Sequence, residues 1–364
     1  MYLSKFTQGR DNNFNLIRII AAYAVLITHS FALAIGTADA EPFRYTLGMT
    51  MGNIAVDIFF LTSGFLVTAS LLSKQSVIDF IWARFLRIFP ALLTMLVLVV
   101  FGMGIFFTTD SLSSYLANSQ THKYFLKCLT LFTGVEYILP HVFENNPYKN
   151  AVNGSLWTMT QEVRMYGTLV IAWLFSGIMP KYRLLTFKYT IFVLGFSAVF
   201  IYLNIIDNSR FLKTISMVFN LKLFFMFFTG AIFFIFKDKI IVSHYAFLFF
   251  VVILVLSFFN KQAFPVVYLF VISYILFYVA YVPYGFIRKY NKLGDYSYGI
   301  YIYAFPIQQS IAALFPGISV FSMIITSTII TLILAFLSWH LLEKHALKLK
   351  NYFTHHTRRI LFKE

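Results

Sequence analysis

The sequence has few charged residues and almost no cysteine. Charged side chains make up 12% of the 364 residues and hydrophobic ones 59%, a balance well outside that of soluble globular domains. The one cysteine, Cys128, excludes an intramolecular disulfide and a cysteine-based metal cage. We also find no internal repeat, low-complexity tract or separate soluble domain. Any function is therefore expected to reside in a membrane-embedded chain.

Apolar runs of about 20 residues recur along the chain, and such runs are typical of membrane-spanning helices. A helix suits the bilayer because its backbone polar groups are satisfied within the segment. The pattern predicts an all-α, polytopic integral membrane protein with a transmembrane domain over 1–345 and a basic cytoplasmic tail over 346–364. The predicted spans, about ten in number, are 14–35, 52–73, 86–107, 155–179, 187–206, 215–236, 242–259, 264–282, 296–314 and 319–342.

The formal net charge is +15, with 29 lysines and arginines against 14 acidic residues. The basic residues lie between the apolar runs instead of clustering in one domain, which argues against nucleic acid as a partner. Every second connection is the more basic one, and by the positive-inside rule these connections are cytoplasmic. Both termini are therefore expected in the cytoplasm, with membrane lipid as the surroundings of the chain.

Ionisable side chains within a span are costly, by about 3 kcal/mol at the centre of the bilayer, and they mark a functional site or a structural pair. Five qualify: Arg18, His29, Asp57, Glu162 and Arg164. Arg18 and His29 share one face of the first helix, about 16 Å apart along its axis. Asp57 and Glu162 are predicted at the depth of His29, so the three could meet. The alternative is that each only fixes helix packing through hydrogen bonds.

Arg84 and Arg87 are spaced three residues apart where the third span meets the cytoplasmic interface. This spacing places both on one helix face. Guanidinium forks suit phosphates, which favours an anion site. The alternative is ordinary anchoring of the span by positive charge.

Five separated motifs, in this order and on the expected spans, together resemble one known family. They are Arg18 to His29 in the first span; the run from Gly52 to Leu66 with Asp57; Arg84 and Arg87 with Pro90; Asn153 to Thr158 followed by Glu162 and Tyr166; and Leu293 to Tyr303 with Pro306. The chain resembles the integral membrane acyltransferases called acyltransferase family 3, which O-acylate bacterial surface glycans. One position departs from the pattern, because Ala304 stands where many members carry histidine.

The resemblance implies a cytoplasmic acyl-CoA donor, with acetyl-CoA expected, and no metal ion. Arg84 and Arg87 would hold the phosphates of the donor. Arg18 would face the incoming thioester and offer a fixed positive charge to oxygens that gain charge during the reaction. The expected location is the bacterial cytoplasmic (inner) membrane.

The resemblance also implies that His29 carries the chemistry. Neutral imidazole could take the proton of an acceptor hydroxyl as general base, or it could relay the acyl group, and both remain open. Asp57 or Glu162 would orient the ring. The acceptor would be a cell-surface glycan or a lipid-linked sugar. The candidate substrate contacts are Ser155, Trp157, Tyr166 and Tyr298.

A rival hypothesis of another class is a proton-coupled transporter or flippase. In it, Arg18, His29, Asp57 and Glu162 would form a proton relay through the bundle. Such a protein is expected to show inverted repeats and paired broken helices, and the sequence shows neither.

Overall fold

A computed structural model describes residues 1–9, 11–207 and 215–362, which fold into a bundle of long helices. We number these helices α1 to α10. Their bounds are Phe14–Ile35 (α1), Met51–Lys74 (α2), Val77–Val97 (α3), Trp157–Ser176 (α4), Arg183–Asp207 (α5), Ile215–Ile235 (α6), His244–Ser257 (α7), Ala263–Tyr281 (α8), Ser297–Leu314 (α9) and Val320–Ser338 (α10). The predicted all-α membrane fold is confirmed.

In the described part of the chain, 7 helices are long and apolar enough to cross a membrane. They are α1, α2, α3 with its continuation, α5, α6, α8 and α10. Helix α7 is apolar but has only 14 residues, whereas α4 and α9 carry more polar side chains. Each predicted span coincides with a helix, but the total of ten spans and the sides of the termini stay predictions.

Polar caps set where the helices begin. Thr50 accepts a hydrogen bond from the backbone N–H of Asn53, whose side chain accepts one from Thr50, so α2 starts with a capping box. Ser76 caps α3 by accepting from the backbone of Asp79. Helix α3 therefore starts at Val77, nine residues before the predicted span, because its amphipathic first turns precede the purely apolar run.

Helices α2 and α6 approach each other most closely at two glycines. A Cβ atom added to Gly64 would lie 1.8 Å from the carbonyl oxygen of Phe227, and one added to Gly230 would lie 2.1 Å from that of Leu61. Small residues of this kind let helix backbones meet in a membrane. Helix α1 packs against α2 and α9, and α9 packs against α10. The helices that carry the motifs are thereby brought together.

The tail predicted over 346–364 is helical where the structure describes it. Its helix Lys350–Phe362 lies against the start of α3. The Trp82 ring stacks on Phe353 at 4.6 Å between centroids, and its indole N–H donates to Thr357. Arg358 pairs with Asp79 at 2.5 Å. The tail packs on the bundle, and the division into domain and tail stays a prediction.

The longest connection, between α3 and α4, covers the opposite end of the bundle. Helix α3 continues as a π-helix over Leu98–Gly104 and ends at Phe107, and a further helix spans Ser119–Thr130. The Tyr115 hydroxyl donates to the carbonyl of Val100 at 2.9 Å, which holds the connection against α3. The segment before α4 returns the chain to the centre of the bundle.

Candidate active site

A cavity of about 90 Å³ lies between α1, α2, α3, α4 and α9. Its charged lining residues are Arg18, Arg84, Arg87 and Glu162. Three of the five sequence motifs supply these charged side chains, the motif from Gly52 to Leu66 contributes Ser63, and the last motif contributes Tyr298. We call this space the arginine cavity.

Two of the three arginines are neutralised by carboxylates of the protein itself. Asp295, in the turn before α9, pairs with Arg18 at 2.7 Å and with Arg87 at 2.5 Å. Arg87 also pairs with Glu343, which follows α10, at 3.1 Å. Burial opposes ionisation of Asp295, but the charges of Arg18 and Arg87 outweigh it and lower its pKa to about 2. This network ties α1, α3, α9 and α10 together.

Arg84 has a different environment from Arg87. No carboxylate of the described residues pairs with it, and its guanidinium lies 5.9 Å from the ring centroid of Tyr166. Its buried Nε has no hydrogen-bond partner. The two arginines of the predicted pair therefore differ. Arg87 is held in an ion network, whereas Arg84 shares the cavity with Glu162 but has no salt-bridge partner among the described residues.

Glu162 faces the arginine cavity rather than the histidine. Its Oε1 accepts hydrogen bonds from Ser63 at 3.0 Å and from Tyr166, and the Ser63 and Tyr166 hydroxyls lie 3.1 Å apart. Ser63 lies within the motif from Gly52 to Leu66 and was not among the predicted site residues. Its polar side chain in the middle of an apolar run was the available signal.

His29 lines a second cavity, of about 310 Å³, at the other end of α1. We call this space the histidine cavity. The His29 ring packs edge to face on Phe305, with centroids 5.1 Å apart. Its buried Nδ1 has no hydrogen-bond partner among the described residues. The ring as a whole is partly exposed and lines the cavity, so a group that enters the cavity meets the imidazole.

Asp57 lies in neither cavity. It is fully buried and pairs with Lys222 of α6 at 2.7 Å. Asp57 and Gly64 are seven residues apart and share the face of α2 that packs against α6. Neither Asp57 nor Glu162 contacts His29, so the expected meeting of the three is not observed. Lys222 is also an ionisable residue inside a predicted span, the same sequence feature that singled out Asp57, but it was not among the predicted site residues.

Comparison with known proteins places this geometry in context. An acyltransferase domain family matches residues 11–340. The chain belongs to this acyltransferase family. An "O-acetyl transferase" of Shigella phage Sf6 is 28% identical over 348 residues, which cover 93% of this chain and 96% of that protein. "Nodulation protein 10" of Rhizobium leguminosarum bv. viciae is 30% identical over 173 residues, 46% of this chain and 45% of that protein. No solved structure matches.

The protein is therefore a multi-pass membrane enzyme of the acyltransferase class, as its motifs indicated. The rival relay would require Arg18, His29, Asp57 and Glu162 to follow one another through the bundle. Instead, Asp57 pairs with Lys222 to one side, and Glu162 is bonded within the arginine cavity. Nothing in this arrangement favours the transporter.

The residues predicted to contact substrate divide between the two cavities of the acyltransferase. Trp157 lines the histidine cavity, whereas Tyr166 and Tyr298 line the arginine cavity. Ser155 lines neither: it is buried, and its Oγ has no hydrogen-bond partner among the described residues. The functional roles predicted for all these residues stay predictions.

A thin wall separates the two cavities of the acyltransferase. Thr158 and Tyr301 line the arginine cavity and are hydrogen-bonded to each other at 2.5 Å. Trp157, the preceding residue on α4, and Phe305, one turn further on α9, line the histidine cavity. Ala304 is buried against Ala22 of α1 in an apolar cluster, so no polar side chain stands at this departure from the family pattern.

Proposed function

We propose that this acyltransferase moves an acetyl group from cytoplasmic acetyl-CoA to a hydroxyl of a cell-surface glycan or lipid-linked sugar. The observation that carries the proposal is the pair of adjoining cavities on one face of α1, one lined by arginines and the other by His29. The phage O-acetyl transferase, similar over nearly its whole length, supports acetyl as the group and oxygen as its acceptor. The proposed location is the bacterial inner membrane, where the positive-inside pattern puts the basic connections in the cytoplasm.

Arg84 is the residue best placed to hold the donor. Arg84 lines the arginine cavity and has no salt-bridge partner among the described residues, so its guanidinium would bind a phosphate of coenzyme A. Arg87, held by Asp295 and Glu343, would give the cavity a positive wall of fixed geometry. The thioester would then point along α1 past Arg18.

His29 would act at the wall between the cavities. In direct transfer, the acceptor oxygen attacks the thioester carbonyl carbon while His29 takes the hydroxyl proton; the C–S bond breaks, and the proton passes to the departing thiolate. In a relay, an imidazole nitrogen forms a C–N bond to the acetyl carbon as the C–S bond breaks, and the ring proton passes to the departing thiolate. The acceptor oxygen then attacks the same carbon, the C–N bond breaks, and the hydroxyl proton passes to the imidazole. The His29 ring, which is partly exposed and lines the histidine cavity, is compatible with either route.

The test uses sealed inside-out membrane vesicles that contain envelope glycans of the host. Radiolabelled acetyl-CoA is supplied to the outward-facing cytoplasmic surface. Wild type is expected to label the glycan, and His29→Ala is expected to lose at least about 100-fold in rate, because general bases typically contribute that much. Full activity of a correctly inserted His29→Ala would remove His29 from the mechanism.

The donor site is tested in the same vesicles with Arg84→Gln. We expect the KM for acetyl-CoA to rise about tenfold or more, since a charge-assisted hydrogen bond to phosphate is lost. Arg164→Gln is the matched control, because Arg164 is exposed on α4 and does not line the arginine cavity. If Arg84→Gln left the KM for acetyl-CoA unchanged, Arg84 would not bind the donor and would only anchor the span at the cytoplasmic interface.

A further inference from the structure

The histidine cavity contains an acidic residue from outside the five sequence motifs. Glu41, in the connection between α1 and α2, lines this cavity together with His29. It is the only carboxylate among the described residues of the lining. The Glu41 side chain is 13% exposed and pairs with Arg44 at 2.7 Å. Burial raises the pKa of Glu41, although Arg44 opposes this.

Aromatic residues make up half of the remaining lining. Tyr137, Tyr148, Trp157 and Phe305 all line the cavity. Gly154 makes room for one of them, because a Cβ atom there would lie 2.6 Å from the Phe305 ring. The result is a concave, mainly apolar space with a few polar groups, and 310 Å³ lies at the lower end of the range for small-ligand sites.

Two separate connections meet to close this cavity. Gly36 ends α1 with φ 96°, and a Cβ atom there would lie 2.8 Å from the carbonyl oxygen of Pro147. This close approach brings the connection that carries Glu41 against the segment that carries Tyr148. The carboxylate and the aromatic rings are therefore positioned together, facing His29.

We propose that the histidine cavity is the acceptor site, that it takes one sugar ring, and that Glu41 orients this ring for reaction at His29. The inference rests on the proposed function and deepens it. The apolar C–H faces of the sugar pack on the aromatic rings. One hydroxyl donates a hydrogen bond to the Glu41 carboxylate, and a neighbouring hydroxyl thereby points to the His29 imidazole.

The geometry explains why a carboxylate suits this position. An ionised carboxylate only accepts hydrogen bonds, whereas a sugar hydroxyl can donate one. Arg44 occupies one oxygen of Glu41 through its Nη2, and the other oxygen remains for a ligand. A pair of this kind is fixed in direction before the sugar arrives, which lowers the cost of ordering the site.

The experiment uses the full-length enzyme in lipid nanodiscs, where both faces are accessible. Labelled acetyl-CoA is held at saturation, and methyl glycosides of glucose, mannose, rhamnose and N-acetylglucosamine serve as acceptor probes. For the glycosides that wild type acetylates, Glu41→Gln is expected to raise the acceptor KM about tenfold or more, because a hydrogen bond to a charged group is weakened. The KM for acetyl-CoA should stay unchanged.

Asp39→Asn is the matched control. Asp39 is exposed, lies two residues earlier in the same connection and does not line the cavity. The Asp39→Asn variant removes one negative charge from the same connection, as Glu41→Gln does, and should leave both KM values as in wild type. Glu41→Asp, which keeps the charge on a shorter side chain, should fall between wild type and Glu41→Gln.

A binding measurement separates this inference from the proposed function. Trp157 lies in the cavity wall, so its fluorescence, taken as the difference between wild type and Trp157→Phe, should change when a glycoside binds. Weaker binding in Glu41→Gln supports the inference even if no acetyl transfer is detected. Wild-type acceptor KM and fluorescence in Glu41→Gln would overturn it and leave the proposed transfer intact. If Glu41→Gln raised the KM for acetyl-CoA and the KM for the glycoside by the same factor, the inference would be overturned too, since Glu41 would then only maintain the fold.

Discussion

At the scale of single residues, Arg84 and Arg87 show how neighbouring side chains of one motif acquire different roles. Both sit on one face of α3, yet Arg87 is engaged by Asp295 and Glu343 while Arg84 has no carboxylate partner among the described residues. The difference comes from side chains that lie more than 200 positions away along the chain. A paired arginine such as Arg87 holds the helices around it in place, whereas an arginine without a salt-bridge partner can bind an anionic ligand.

The buried pair of Asp57 and Lys222 leads to a prediction about stability. Removing one partner leaves an unpaired charge in the bundle, so Asp57→Asn or Lys222→Met should each destabilise the protein by about 3–5 kcal/mol. The double variant should recover much of that loss. Thermal unfolding in detergent measures the coupling, with the acetylation rate recorded in parallel.

The same variants test the catalytic role predicted for Asp57. If the double variant Asp57→Asn with Lys222→Met regains both stability and activity, the carboxylate serves to join α2 and α6. If it regains stability but stays inactive, Asp57 takes part in the reaction after all.

Asp295 leads to a prediction about pH. Its pKa is lowered from the ordinary 3.8 to about 2, so its contribution to stability is fully present above pH 4 and is lost as the pH falls towards 2. Thermal unfolding from pH 7 to 2.5 should show wild type more stable than Asp295→Asn by an amount that is constant above pH 5 and shrinks below pH 4. A difference that changes between pH 5 and 7 would contradict this assignment.

At the scale of helices, the contact between α2 and α6 depends on the absence of side chains. Gly64 and Gly230 lie where each backbone meets the other helix. This contact sets the position of α2, and α2 in turn carries Ser63 into the arginine cavity. A change at the glycine face is therefore expected to act on the site from a distance.

Gly64→Ala should destabilise the bundle and lower activity. The new Cβ would lie 1.8 Å from a backbone carbonyl of α6, so the helices must separate. We expect a loss of about 1–3 kcal/mol, measured by thermal unfolding in detergent. Gly167→Ala is the control, because nothing lies within 4 Å of its added Cβ and alanine favours helix. Equal stability of the two variants would mean that the helices do not meet closely at Gly64.

At the scale of the whole molecule, the two cavities lie at different depths of one bundle, which matches a donor and an acceptor supplied from opposite sides. The structure places residues 1–9 and the helix Lys350–Phe362 at the end where α1 and α3 begin. Leu3, for example, donates to the carbonyl of Ile240, and Arg358 pairs with Asp79. Both ends of the described chain thus lie on the same side of the bundle.

The positive-inside pattern predicts that this shared side is cytoplasmic. Single cysteines test it in a Cys128→Ser background: Ser113→Cys, exposed in the connection between α3 and α4, should react with an impermeant maleimide added outside intact cells. His355→Cys, exposed on the C-terminal helix, should react only after the cells are opened. The reverse pattern would place acyl-CoA binding on the wrong side for a cytoplasmic donor.

The sequence by itself determined the class of this protein. Apolar runs of bilayer length dictate helices, because backbone groups in lipid have no other partners. The ordered motifs indicated the acyltransferase family, which the family match confirms. Local spacing also placed Arg18 and His29 correctly on one face of α1, since helical periodicity is a local property. The positions of the helices along the chain could be predicted for the same reason.

Only the tertiary structure decided which charges meet. Asp57 pairs with Lys222 and not with His29, because α6 rather than α1 packs on that face of α2. Glu41 reaches the histidine cavity through a connection that has no periodic pattern to read. Packing between distant segments depends on side-chain shape across the whole bundle, whereas sequence spacing reports only on neighbours within one helix.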